Sequence, residues 1–325
     1  MSAPVVIVYP LSGYVNRIQA IASAWIISQS IGAEFIVCWQ EQEVAPATAH
    51  EVFAKSFVDA HIISTSEAGM KFGIDFAEVP YYLTVDELER TVFVRGHDRG
   101  EQYFMPQLRA VMAAMPEIST LVFIAGGKFD ALGAGVLDES QAAQFRIRRQ
   151  AAYQEMQLHP AIEATAREQT HEHGSFLGLH LRYSDRNHQA PTIREINRAL
   201  VQIWDRSQTN SLFVASDTPS SRGSWMRRAK DLGLDAWSFD AQHYPRSDAR
   251  GAHGALIDWR ILGRSQSMVY FAASSFAEEA AVASGHYADS VGLATSVSRS
   301  VLVKGRRYVD SLLTYPWRHG WLGRG

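Results

Sequence analysis

Phe176-Leu177-Gly178-Leu179-His180-Leu181-Arg182-Tyr183-Ser184-Asp185 is an apolar run that climbs to a His and an Arg and then breaks into Ser and Asp. A strand buried on both faces reads as a near-continuous apolar segment. Polar residues gathered at its C-terminal end mark the edge where open α/β sheets bind ligands. The segment therefore predicts a central parallel strand that ends at a crevice. Arg182 carries its chemistry. The planar guanidinium suits a phosphate, and one charge-assisted bond of that kind contributes roughly 1.5–3 kcal/mol. A strand-end Arg paired to a carboxylate, Asp185 for instance, reads equally well from this segment alone.

The same alternation continues on both sides. Downstream, strands are expected over 211–215, 235–239 and 267–271, and helices over 193–207, 222–232, 253–264 and 275–285. Upstream, Val5 to Tyr9 is a β-branched run closed by Pro10, Ser12 and Gly13, which reads as a strand and a turn. Apolar residues at helical spacing follow from Ile18 to Ile31 and stop at Gly32, and Glu34 to Trp39 reads as the next strand. Thr91 to Arg95 and Leu121 to Ala125 are further strands, and Gly126, Gly127, Gly133 and Gly135 loosen the chain after them. Residues 138–173 read as polar helices with a basic knot at Arg146, Arg148 and Arg149, restarted at His159-Pro160. Two successive β/α arrays in 325 residues predict an α/β protein of two doubly wound domains, 1–165 and 166–325.

Composition narrows the partners. The chain is 46% hydrophobic and 20% charged, a globular balance. With 31 basic and 34 acidic residues its net charge is −3, which speaks against wholesale nucleic-acid binding and leaves room for a local anion site. Cys38 is the single cysteine, so no internal disulfide forms; a reducing cytoplasm fits, and Cys38 reads as a buried structural thiol. There is no basic-then-apolar leader and no 18-residue apolar run, so a cytoplasmic protein without a transmembrane segment is expected, with peripheral membrane contact open.

Four places end a strand or open a helix with polar residues. Leu11-Ser12-Gly13-Tyr14-Val15-Asn16-Arg17 is the first: Gly13 lets backbone approach a ligand, and Asn16 either contacts a sugar or caps the helix. It is not G-x-G-x-x-G, so the dinucleotide fingerprint is missing. The segment with His180, Arg182 and Asp185 is the second. Leu212 to Pro219 is the third, where Asp217 is a ligand for a ribose or base edge, a proton acceptor, or a helix N-cap. The fourth runs from Leu256 through Asp258 to Ser274-Ser275-Phe276. Two hydroxyls at a helix start offer a phosphate site or plain capping. Asp258, on an apolar helix face, is either paired with an Arg or reads a donor pair such as a guanine edge.

In this order the four segments resemble the motifs of the fucosyltransferase superfamily (α1,2-, α1,6- and protein O-fucosyltransferases). Gly13 to Arg17 is similar to G-x-x-N-[RQ], His180 to Arg182 to H-x-R, Ser216-Asp217 to the [ST]-D strand end, and Asp258 to Phe276 to the closing L-D … S-S-F motif. The resemblance covers 11–17 and 178–285. It implies a GT-B architecture, two Rossmann-like domains facing a cleft, and metal-independent, inverting transfer of fucose or a related sugar from a GDP-sugar to a hydroxyl of a glycan or glycoconjugate. It also implies roles: Arg182 on the β-phosphate, His180 beside the nucleotide, Asp258 on guanine N1 and N2, Ser274, Ser275 and Phe276 over the diphosphate. Asp217 and Asp185 would order the pocket or the Arg, Gly13 would lie at the donor nucleotide, and Asn16 would orient the acceptor, with Arg182, Asn16 and Asp185 as the catalytic set. Many α1,2- and α1,6-type members carry a second Arg directly after the first; this chain has Tyr183. Another nucleotide-sugar donor, or a non-catalytic nucleotide-binding relative, are the alternatives.

Other chemistry is weaker. His171, His173, His180 and His188 cluster in sequence, but His171-Glu172-His173 is not H-E-x-x-H, and a polar surface explains them. A G-x-S-x-G elbow is absent. The aromatic, basic stretch Tyr315-Pro316-Trp317-Arg318-His319-Gly320-Trp321 is expected to pack across the two domains.

Overall fold

Two sheets flanked by helices account for the alternation in the sequence. The structure, a computed structural model, describes residues 3–79, 82–86, 89–95, 110–129, 139–183, 190–239, 248–272 and 274–294. Asp185, His188 and the stretch 315–321 lie outside the described residues.

The first sheet contains β1 (Val5–Pro10), β2 (Glu34–Cys38), β3 (Ile62–Ile63), β4 (Tyr82–Asp86), β5 (Thr91–Arg95) and β6 (Thr120–Ala125), in the order β3-β2-β1-β6-β5-β4. It is mixed: β1, β2, β3, β5 and β6 run parallel, and β4 runs antiparallel to β5. The reason is connection length. A parallel return needs a crossover of a dozen or more residues, and only positions 87–90 separate these two strands. The second sheet contains β7 (Leu177–Leu181), β8 (Ser211–Ser216), β9 (Asp235–Trp237), β10 (Met268–Phe271) and β11 (Val291–Leu293), in the order β11-β10-β7-β8-β9, all parallel. The strand that opened the sequence reading sits at its centre, buried along its whole length.

Helices α1 (Tyr14–Ile31), α2 (Ala49–Val52), α3 (Lys55–His61), α4 (Thr65–Phe72) and α5 (Glu139–Glu155) accompany the first sheet. Helices α6 (Pro160–His173), α7 (Ile193–Arg206), α8 (Pro219–Asp231), α9 (Ala249–Leu262) and α10 (Ser275–Ser284) accompany the second. Helix α1 begins a full turn before Ile18, because Tyr14 and Val15 are already buried in the core. Helices α2 and α4 were not anticipated, although Thr48/Glu51 and Ser64/Glu67 each form a capping box, a pattern written in the sequence.

The two sheets share one apolar core. Val6, Val8 and Phe123 of the first belong to the same buried cluster as Phe213, Trp259 and Tyr270 of the second. Helix α10 packs against α1 and α5, and α6 against α9. A buried ion cluster pins this junction. The Glu279 carboxylate of α10, fully buried, accepts from Arg149 Nε (2.9 Å) and Nη2 (3.2 Å), from Tyr153 Oη (2.6 Å) and from Lys128 Nζ (3.3 Å). Burial pushes this carboxyl up, but Arg149 and Lys128 outweigh it and hold it below its ordinary value. The basic knot thus divides: Arg149 is internal, while Arg146 lies over the Tyr287 ring at 4.6 Å. Cys38 is buried, and burial pushes its thiol up to about 12, which makes it an inert core residue. Among the described residues no helix is long and apolar enough to cross a membrane.

Candidate active site between the two sheets

Alternation along β7 sorts its side chains. Leu177, Leu179 and Leu181 enter the apolar cluster under α7, with Ile196, Leu200 and Ile203. Gly178 and His180 face the other way, towards α9 and α10. A Cβ at Gly178 would stand 2.9 Å from Met268 Cβ, so the glycine is what allows β10 its close approach. The His180 ring stacks on Phe276 at 5.0 Å, with 26° between the planes. Arg182 follows two residues later, at the end of the strand. Tyr183 packs against the opposite cluster, so its ring serves the core.

Asp217, at the end of β8, accepts the Tyr183 N–H at 2.9 Å, and its own N–H points to Leu181 O at 3.4 Å. The carboxylate therefore fixes the strand end that carries Arg182. It is not the N-cap of α8; Thr218 occupies that position.

Asp258 of α9 sits 3.6 Å from Arg222 Nη2 through its Oδ2. Arg222 also donates to Phe239 O (2.9 Å) and Ser216 O (3.2 Å), which ties α8, β8 and α9 together at the sheet edge. The second carboxylate oxygen, Oδ1, is buried without a partner. Burial pushes the carboxyl up to about 7, and Arg222 only partly opposes it. Of the two alternatives for Asp258, the pairing with an Arg is the one seen, with Arg222 as the partner. Sequence reasoning missed Arg222. Its one signal is an Arg in the first turn of the helix that follows Ser216-Asp217.

Ser274 is the N-cap position of α10 but makes no side-chain cap bond, and its buried Oγ has no partner. The capping alternative therefore does not describe this helix start. The first N–H groups of a helix have no partner within it and carry the positive end of the dipole, so the α10 N-terminus is suited to an anion. The Ser275 hydroxyl donates to Asn16 Oδ1 at 2.6 Å, which joins this helix to the first sheet.

On that side, Asn16 lies inside the first turn of α1 and is not its cap; Gly13 is the N-cap residue, and Asn16 Nδ2 donates to Ser12 Oγ at 3.0 Å. The backbone position that needs the left-handed region is Ser12 (φ 72°), not Gly13. A Cβ on Gly13 would meet nothing within 4 Å, so this loop borders open space. Arg17 is fully buried. Its Nε donates to Ser12 O (2.9 Å), its Nη1 to Gln40 O (2.8 Å), and its guanidinium lies 4.7 Å from the Trp39 ring centre. Desolvation brings its pKa down to about 10. The histidines scatter: His171 and His173 lie on α6, His173 stacks on Trp237 at 3.7 Å, and His180 is in the site.

The ends of β7, β8 and β10 bring Arg182, Asp217 and Ser274-Ser275 to one edge of the second sheet, and the Asn16–Ser275 bond sets that edge against the end of β1. No protein-family model matches the chain, and no curated protein matches it. Solved structures do. The fucosyltransferase NodZ from Bradyrhizobium aligns at 15% identity and a TM-score of 0.53, over 86% of this chain and 93% of that one. Arabidopsis thaliana FUT1, a mutant in complex with GDP, aligns at 11% and 0.60, over 87% and 69%. POFUT1 in complex with GDP aligns at 13% and 0.51, over 88% and 96%. The chain has the GT-B fold of the fucosyltransferases.

Proposed function

We propose that the protein is an inverting glycosyltransferase of the fucosyltransferase superfamily, moving fucose or a related sugar from a GDP-sugar to a hydroxyl of a glycan or glycoconjugate, in the cytoplasm. The observation that carries the reading is Asp258: a largely buried carboxylate with one oxygen held by Arg222 and the other unpartnered. Guanine offers two adjacent donors, N1–H and N2–H, and uracil offers no such pair. The likeness in fold to proteins crystallised with GDP supports the same choice.

In this reading the guanine docks on Asp258, and the diphosphate lies over the α10 N-terminus between Ser274, Ser275, Phe276 and Arg182, with His180 beneath. As the glycosidic bond breaks, negative charge builds on the β-phosphate. Arg182 and the free N–H groups of α10 meet that charge with preorganised donors. Asp217 holds the strand end so that Arg182 need not reorganise. No metal is required in this scheme, so chelation by EDTA leaves the rate unchanged. Asn16 borders the acceptor.

A thermal-shift panel tests the base. A ligand that binds only the native state raises the melting temperature by mass action. GDP is expected to do so well above UDP, dTDP and CMP, and an equal shift with UDP removes the guanine assignment. Arg182→Ala tests the chemistry: it should abolish transfer from GDP-fucose while the chain still folds, and turnover at a near-normal rate sinks the leaving-group role.

A further inference from the structure

We propose that Glu41 is the general base that takes the proton of the acceptor hydroxyl, an inference that rests on the transferase reading above. In that reaction the acceptor oxygen forms a bond to the anomeric carbon while the bond from that carbon to the β-phosphate oxygen breaks. The electron pair leaves with GDP, and the hydroxyl proton must pass to a base on the acceptor side.

Most carboxylates around the cleft are already committed. Asp217 accepts from the Tyr183 N–H, Asp258 faces Arg222, and Glu278 is paired with Lys128. Glu51 closes the capping box of α2 through the Thr48 N–H and hydroxyl. Glu41 differs. Its side chain is exposed, and no hydrogen bond or ion pair among the described residues uses it.

Its position is fixed from both sides. Strands β1 and β2 pair in parallel with Val8 opposite Val37, so the chain just beyond Cys38 is level with Leu11 and Ser12. One guanidinium then staples the two loops: Arg17 binds Ser12 O and Gln40 O. That holds Glu41 beside the Ser12-Gly13 turn, close enough for its charge to act on Arg17. The same turn leads into Asn16, which is bonded to Ser275 at the N-terminus of α10. Glu41 therefore stands at the junction where a hydroxyl would approach a sugar carried on the α10 diphosphate.

Arg17 supplies a second, independent observation. It is fully buried, two of its nitrogens are spent on the two loops, and the third, Nη2, has no partner. A buried donor left unsatisfied costs about 1–3 kcal/mol, a cost that a bound oxygen removes. The loop junction thus holds a buried cation with one unsatisfied donor, and Glu41 is a carboxylate whose charge reaches it.

Glu43 is the internal control. It lies on the same loop, in the turn bridged by Gln42 and Ala45, and its charge is not one of those that act on Arg17. The test compares wild type, Glu41→Gln, Glu41→Asp and Glu43→Gln for GDP binding by calorimetry and for transfer from GDP-fucose to a panel of oligosaccharides. Loss of a general base lowers kcat by roughly 100-fold or more. E41Q should show that loss with GDP affinity unchanged, E41D should recover part of it, and E43Q should match wild type. E41Q turning over within about threefold of wild type overturns the assignment, because a base removal that small is below the usual range. A wild-type protein that binds GDP but transfers from no GDP-sugar overturns the transferase reading itself, and Glu41 with it.

Discussion

Lowering the pH from 8 to 6 should weaken GDP binding about tenfold, and the reason is Asp258. Two guanine donors need the ionised carboxylate. Burial has pushed the Asp258 carboxyl up to about 7, against an ordinary value of 3.8. With that midpoint the ionised fraction falls from about nine-tenths at pH 8 to about one-tenth at pH 6, a tenfold change worth roughly 1.4 kcal/mol. Affinity should therefore climb by up to tenfold per pH unit below 7 and level off above it, with one proton released on binding at acid pH. The charged residue facing Asp258 among the described residues is Arg222, from α8. Calorimetry with GDP between pH 5.5 and 8.5, in two buffers of different ionisation enthalpy, measures both the affinity and the proton. The terminal phosphate of GDP has a second ionisation near 6, so Asp258→Asn supplies its baseline. A pH dependence of the same size in D258N refutes the reasoning, because the titrating group would then be the ligand.

Other outcomes follow from the same geometry. Arg222→Met removes the cation that opposes burial at Asp258, so the midpoint of GDP binding should move above pH 7; an unmoved midpoint breaks the link between the two residues. Glu279→Gln leaves Arg149 buried without its counter-charge and should cost about 3–5 kcal/mol in urea denaturation, whereas a loss below about 1 kcal/mol would show the cluster to be dispensable. Because the folded Glu279 carboxyl lies below its ordinary value, its contribution is present above the carboxylate range and disappears as the pH falls through it. Gly178→Ala drives a Cβ into Met268 and should destabilise by about 1–3 kcal/mol while weakening GDP, read by thermal melts with and without nucleotide.

The elements read best were those with a simple physical signature. Strand β7 is apolar because water reaches neither of its faces, and so it was legible as a central parallel strand. The helix start at Ser274 was legible because small polar residues follow a buried run. Elements without such a signature were missed: β4 pairs through a hairpin whose direction depends on connection length, and β3 is two residues long. Helix α1 began early because Tyr14 and Val15 are buried, Tyr14 with its hydroxyl accepting the N–H of Ala47 33 positions away, which no local pattern announces.

For the site, the sequence by itself determined which residue types end each strand: the Arg after β7, the Asp after β8, the hydroxyls before α10. Those choices are local, set by backbone period and by the polarity change at a strand end. It could not determine what each of them touches. That Asp217 holds the Tyr183 N–H rather than capping a helix, that Asp258 keeps one oxygen free while Arg222 holds the other, and that Asn16 reaches Ser275 across 259 positions of chain are decided by tertiary structure. The physical reason is that hydrogen bonds and desolvation act over a few ångströms in space. Only the folding of two sheets onto one core brings these groups within that range.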